Sequence, residues 1–279
     1  MIILPARLAS TRLPEKLLKV AQGKSILQHT YEAALGSKLA EAVTVAVDND
    51  KLSEEVKRFG GSWEQTSLAC QSGTDRLAEV ASRFPDVDIF VNVQSDEPEI
   101  TGSTIDRVIQ QLIDSPEADI ATAGTPIRDM KTLQDPSCVK IVMGNTNTVE
   151  IYPATDSAGE RKTNDDFDEE TKKRKTNQGR AVYFSRTPIP CLRDGIEAAD
   201  FNRDPPIFWH HIGIYAYRRD FLSWFSSTPP STLEELEKLE QLRAIEAGKI
   251  IQVVEIEHAA PGIDTEKDYQ DFLKRLSMR

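Results

Sequence analysis

The chain has 279 residues, 39% hydrophobic and 28% charged, enough to bury a sizeable core as one large or two small domains. Its formal net charge of -11 sets the molecule as a whole against nucleic acid and anionic membranes, so an anionic ligand must be held by local cations. Three scattered cysteines, Cys70, Cys138 and Cys191, form no CxxC pair and argue against a disulfide framework or a structural zinc site.

No apolar run reaches the length of a membrane-spanning helix, and "MIILPAR" is too short an apolar start for a secretory signal. A cytoplasmic protein without membrane insertion or nucleic-acid partners is expected. Residues 2–4, "IIL", read as a short strand ending at Pro5. The loop that follows, "LPARLASTRLPEK" (4–16), gathers Arg7, Arg12 and Lys16 with Ser10 and Thr11. Such a loop offers charge and hydrogen bonds to phosphates. It is neither a Walker loop nor a GxGxxG turn, since no glycine occurs before Gly23, and a merely solvated basic loop is the alternative.

Residues 25–37 read as a helix closed by Gly36, 42–47 as a β-branched strand stopped by "DND" (48–50), and 51–61 as a helix. After "QSGTD" (71–75), residues 76–84 are helical. The apolar run 88–93 is a buried strand followed by the polar turn "QSDEP" (94–98). A helix over 104–113 and a strand over 119–127 complete an alternation that predicts a mostly parallel α/β sheet. Ligands of such sheets bind beyond the carboxyl ends of the strands, where the basic loop and "QSDEP" both fall. Asp96 and Glu97 there can hold a hard metal, or form an ordinary acidic turn.

Strands are expected over 138–143, 148–153, 181–190, 208–217 and 250–257. Helices are expected over 231–249 and 264–276, the latter with Asp264 or Thr265 at its N-cap. Residues 156–179 carry one aromatic, Phe167, among charged and polar residues, and read as a charged surface insertion. His210 and His211 alternate faces on a strand, so one of them can face a pocket or sit hydrogen-bonded in the core. Glu237, Glu240 and Gln241 share a helical face, a pattern usual for solvated surface.

The stretches "PARLASTRLPEK", "QSGTDRLAEV", "VNVQSDEP", "YFSRTPIP", "HIGIYAYR", "LEQLR" and "IDTEKDY" occur here in one order. In that order they resemble the 3-deoxy-manno-octulosonate cytidylyltransferases, the CMP-Kdo synthetases, from Ile2 to about residue 275 outside roughly 147–180. The resemblance implies a Rossmann-like nucleotidyltransferase sheet flanked by helices, in a single domain over 1–279. A smaller mixed α+β part within about 125–220 would form a homodimer. The implied reaction joins CTP and the acid sugar Kdo into CMP-Kdo and pyrophosphate, with Mg2+, for lipopolysaccharide biosynthesis.

By similarity, Arg7, Ser10 and Lys16 meet the triphosphate, with Lys16 also catalytic, and Ser72, Gly73 and Arg76 form a second nucleotide-binding loop. Asp96 and Asp264 are implied as catalytic metal carboxylates. Gln94, Arg186, His211, Tyr215, Glu240 and Gln241 are implied to line the sugar pocket, with Arg186 toward the sugar carboxylate. The chain departs from the family's usual "LPGKPL" and "VQGDEP" at Glu15 and Ser95, and Cys70 stands where histidine is common. Glu15 adds a negative charge beside Lys16, and Ser95 would be strained if its position needs positive φ. The rival readings are a CMP-sugar synthetase for sialic acid or an amino-substituted Kdo, a nucleotidyltransferase acting on sugar phosphates, and a non-catalytic nucleotide-sensing module.

Overall fold

In the computed structural model, which describes residues 1–70, 72–151, 174–257, 259 and 261–278, the apolar runs become the strands of one sheet. The strands are β1 (Ile2–Ala6), β2 (Val20–Ala21), β3 (Lys24–Ser25), β4 (Val43–Val47), β5 (Trp63–Gln65), β6 (Ile89–Asn92), β7 (Ile120–Pro126), β8 (Lys140–Ile151), β9 (Arg174–Ser185), β10 (Trp209–Arg218) and β11 (Ile251–Glu255). The helices are α1 (Ile26–Ala34), α2 (Asp50–Arg58), α3 (Gly73–Ala81), α4 (Gly102–Ile113), α5 (Met130–Gln134), α6 (Arg219–Ser227), α7 (Thr232–Glu237), α8 (Gln241–Glu246) and α9 (Glu266–Ser277).

The sheet order is β5-β4-β1-β6-β10-β7-β11-β9-β8, while β2 and β3 pair separately. The β5-β4-β1-β6 block and the β7-β11 pair are parallel, as expected of the core. Between them runs β10, antiparallel to both β6 and β7. The arm of β9 and β8 is antiparallel too. Residues 209–218, from the stretch expected to hold the smaller part, thus cross the middle of the sheet.

Helices cover both faces, which is why the parallel strands are mostly apolar. Alternation divides β1: Ile2 and Leu4 pack with α1, α2, α4 and α9 residues such as Leu27, Val56, Val108 and Phe272. Ile3 turns to the other face, with Phe90 of β6, Leu77 of α3, Phe221 of α6 and Leu242 of α8. Each of these side chains is buried and contributes about 1.5–3 kcal/mol by leaving water.

Several expectations about elements change, including a strand expected over 181–190 that ends at Ser185 and a short α5 where no helix was expected. The single helix over 231–249 is two, because Lys238 adopts a left-handed backbone (φ 54°) between α7 and α8. The Ser231 capping box starts α7, and buried Arg243 on α8 grips Glu234 on α7 through two 2.6 Å bonds. The strands over 138–143 and 148–153 are the single β8, whose register against β9 shifts between Gly144 and Asn147. Residues 174–179, expected within the charged insertion, belong to β9, because Thr176 and Asn177 are buried and hydrogen-bonded to Glu255. The remainder of that insertion, 156–173, lies outside the described residues. Finally, α6 falls where no helix was expected, and it buries Phe221, Leu222 and Phe225.

Candidate active site

The opening loop leaves β1 at the carboxyl edge of the sheet and is pinned by the buried side chains of Leu13 and Leu17. Lys16 begins a short 3-10 turn, Lys16–Leu18. Its Nζ donates to Asp96, in the turn after β6, and to Asp264 Oδ1 at 2.9 Å, in the segment before α9. Arg12 reaches the other oxygen of Asp264 at 2.8 Å. Segments at opposite ends of the chain are laced together here, since the Ile263 amide donates to the Asp96 carbonyl at 2.9 Å. Burial works against the Lys16 ammonium, but the two carboxylates outweigh it and hold its pKa above that of free lysine.

The cap of α9 is Thr265, whose hydroxyl accepts from the Asp268 amide. The Asp264 carboxylate is therefore not used as the helix cap. Glu15 has φ 49°, the left-handed conformation that glycine adopts without strain. Its carboxylate pairs with Lys51 at 2.5 Å instead of holding Lys16. Ser95 is not in the left-handed region. Its hydroxyl donates to the Pro5 carbonyl at 2.6 Å and ties the acidic turn to β1.

The second loop starts α3 with a Ser72–Asp75 capping box. Arg76 is enclosed, 1% exposed, rather than open to a ligand at the surface. One guanidinium nitrogen donates to Thr66 and the other pairs with Asp48 at 3.3 Å. Asp48 in turn accepts the Leu8 amide at 3.2 Å. Arg76 thus reaches the basic loop through Asp48, a residue read from the sequence only as a strand stop. Arg7 is exposed, and Ser10 is half-buried on the same loop.

Gln94, two residues before Asp96, lines a cavity of about 240 Å³ together with residues of β6, β7, β10, α6, the start of α3 and the α7–α8 junction. Gln94, His211, Tyr215, Glu240, Gln241 and Gly73 all line it, so the structure brings these expected site residues together. The helix break at Lys238 achieves this by turning Glu240 and Gln241 inward, where continuous helix would have left a solvated face. Burial pushes the Glu240 carboxyl up in pKa, against hydrogen bonds from Thr74 and Ser72. His211 is buried, its Nε2 3.1 Å from the Thr122 hydroxyl, and burial lowers its pKa to about 3, so the ring is neutral. Tyr215 lies against His211 and stacks on Tyr217 at 5.5 Å.

Arg186 is placed differently from expectation. It does not line the cavity. Its guanidinium donates to the carbonyls of Glu237 at 2.8 Å, Pro136 at 3.2 Å and Lys238 at 3.4 Å, and its amide donates to the Glu237 carboxylate. It braces the junction that presents Glu240 and Gln241. Sequence reasoning missed Asp48, Thr74, Asn92 and Tyr217. A polar residue in the apolar run "IFVNV" was a signal for Asn92; for the others there was none.

The donor set suits a hard cation. Asp96 and Asp264 converge on one ammonium, so their oxygens already face a common positive charge. Among the described residues no cluster of three or more His, Cys, Asp or Glu side chains is arranged around a metal position. Two carboxylates are enough for Mg2+, which commonly takes its remaining oxygens from water and substrate phosphates.

Residues 1–251 match the family model for cytidylyltransferases. The chain is 51% identical over 276 residues to the 3-deoxy-manno-octulosonate cytidylyltransferase of Rhodopirellula baltica, covering 99% of this chain and 98% of that one. It is 40% identical to the enzyme of the same name from Geobacter sulfurreducens, covering 98% of each. A solved structure of CMP:2-keto-3-deoxy-manno-octonic acid synthetase complexed with CTP superposes with a TM-score of 0.80 at 33% identity, over 99% of this chain and 98% of that one. With these matches spanning both the fold and the assembled site, the chain belongs to the 3-deoxy-manno-octulosonate cytidylyltransferase family.

Proposed function

We propose that this protein transfers the cytidylyl group of CTP to Kdo, giving CMP-Kdo and pyrophosphate. One observation carries the reading: Lys16, Asp96 and Asp264 meet two residues along the chain from Gln94, which lines a cavity of polar and aromatic side chains. The anomeric hydroxyl of the sugar attacks the α-phosphorus of CTP, and the bond to the pyrophosphate oxygen breaks. Arg7, Ser10, Arg12 and Lys16 hold the triphosphate. Their preorganised charge stabilises the pyrophosphate as it leaves. Asp96 and Asp264 would hold Mg2+, which would neutralise phosphate charge and lower the pKa of the attacking hydroxyl.

Gln94, His211, Tyr215, Glu240 and Gln241 orient the sugar. Neutral His211 serves as a hydrogen-bonding group, not as a charge. Ser72 and Gly73 at the start of α3 bring the nucleotide against the sugar. A homodimer in the cytoplasm, supplying lipopolysaccharide biosynthesis, completes the proposal. Among the described residues no helix is long and apolar enough to cross a membrane. The test is pyrophosphate release from CTP with Mg2+ against a panel of free acid sugars and sugar 1-phosphates. Release with Kdo is expected. Release with another sugar but not with Kdo, or none at all, overturns the reading.

A further inference from the structure

Four buried side-chain polar atoms among the described residues lack a hydrogen-bond partner: Arg76 Nε, Asn92 Oδ1, Glu97 Oε2 and Gln241 Nε2. Buried polar groups are nearly always paired, so each such atom asks for a partner. Asn92 and Gln241 line the same cavity. They offer it complementary groups, an acceptor and a donor. A hydroxyl both accepts and donates, and so satisfies the two together.

Asn92 closes β6 after Ile89, Phe90 and Val91, and is only 3% exposed. Its cross-strand partner is Tyr215 of β10, so its side chain shares a sheet face with the cavity's aromatic wall. Its amide nitrogen is turned toward the start of α3, 3.8 Å from where a Cβ on Gly73 would stand. Its carbonyl oxygen is the buried group left without a partner. Gln241 begins α8 three residues after the brace at Lys238, is 8% exposed, and lines the same cavity.

We infer that Asn92 is a specificity residue of the sugar pocket, its carbonyl oxygen and the Gln241 amide together gripping one hydroxyl of the acid sugar. The inference rests on the reading of the preceding subsection and extends it to a residue outside the expected site. A cavity built to hydrogen-bond a hydroxyl rejects an analogue lacking it, because the protein groups are then left buried and unpaired. Removing one of the two protein groups should reduce that discrimination.

The experiment measures wild type, Asn92→Val and Asn92→Ala with Kdo and a set of monodeoxy-Kdo analogues, alongside melting curves and the KM for CTP. Wild type should lose on the order of 10- to 100-fold in kcat/KM with one analogue in particular. The variants should lose part of that factor with Kdo, discriminate against that analogue less than wild type does, and keep the KM for CTP within about threefold. Asn92→Ala introduces no bulk, and it decides the matter if Asn92→Val does not fold. Folded variants that use Kdo within threefold of wild type overturn the inference. So does a loss shared equally by every analogue and by CTP, which would mark a structural role. Wild type turning over Kdo in the same assay separates either failure from failure of the broader reading, and wild type inert toward Kdo overturns both.

Discussion

Replacing Lys16 by Met keeps the stem of the side chain and removes the charge shared by Asp96 and Asp264. Exposed ion pairs are worth about 0.2–1 kcal/mol, whereas breaking a buried pair costs about 3–5 kcal/mol. Lys16 and Asp96 are 15% and 23% exposed, but Asp264 is 46% exposed and well screened. The loss of stability should therefore lie between those limits, at roughly 1–2 kcal/mol. At about 2–4 °C per kcal/mol for a chain approaching this size, the melting temperature drops by several degrees. Turnover should fall by about a hundredfold, or roughly 3 kcal/mol, as for the loss of one preorganised charge at a developing anion. The decisive readout is a different one. If ammonium and divalent cation compete for the same two carboxylates, Mg2+ alone should raise the melting temperature of Lys16→Met by more than that of wild type. Adding Asp96→Asn to the variant should remove the gain. Equal Mg2+ shifts in wild type and Lys16→Met refute the shared site, and turnover above half of wild type refutes the role at the leaving group.

Arg243→Ala should cost about 3–5 kcal/mol in urea unfolding, because it strands the buried Glu234 carboxylate, and a loss under 1 kcal/mol would contradict the reading of this pair as the α7–α8 clasp. Glu15→Gly relieves a left-handed backbone and gives up only an exposed pair with Lys51, so turnover at saturating CTP should stay within about twofold of wild type. His211→Gln tests a pH linkage: burial lowers the His211 pKa to about 3 from 6.5, so its contribution to stability is present above pH 6.5 and lost as pH falls toward 3. Glu97, raised to about 8 from 4.5 by burial and the neighbouring carboxylates, works oppositely, being fully stabilising below pH 4.5 and losing that contribution as pH rises through 8. These two slopes offset each other between pH 4.5 and 6.5, so the variant should gain about 2–3 kcal/mol relative to wild type on acidification across that range, and parallel urea curves at both pH values would refute the assignment.

The parallel core was legible because strands covered on both faces have no polar side to hide. "IIL", "AVTVAV" and "DIFVNV" announce themselves as predominantly apolar runs, and Gly- or Ser-marked helix ends separate them. The place of β10 was not legible. Pairing antiparallel between β6 and β7 depends on which edges remain free after the earlier strands assemble, and no local pattern records that. The break at Lys238 was hidden for a related reason. "STLEELEKLEQLRAIEAGK" has continuous helix propensity, and the contacts that turn the chain, Arg186 on the Glu237 and Lys238 carbonyls and Arg243 on Glu234, come from tertiary neighbours. The site divides along the same line. Asp96 and Lys16 stood out as charge beyond strand ends, whereas Asn92 looked like one polar residue in a buried strand until its missing partner and the cavity were seen together.

The gathering of cations on the opening loop of an acidic protein has a further consequence in the charge balance of the free site. Lys16 and Arg12 are not free charges awaiting phosphate, because Asp96 and Asp264 already neutralise them. A triphosphate arriving alone would have to take Lys16 from its carboxylates and leave both of them facing more negative charge. A triphosphate arriving with a divalent cation meets no such penalty. The carboxylates would exchange ammonium for metal, the ammonium would exchange carboxylate for phosphate, and every charge would keep a partner throughout. The diversion of Glu15 to Lys51 fits this exchange, since a third carboxylate on Lys16 would hold the ammonium back at the moment it must move. On this account the loop would select the metal–nucleotide pair over the bare nucleotide. It would do so because its cations are already engaged by carboxylates that only another cation can satisfy.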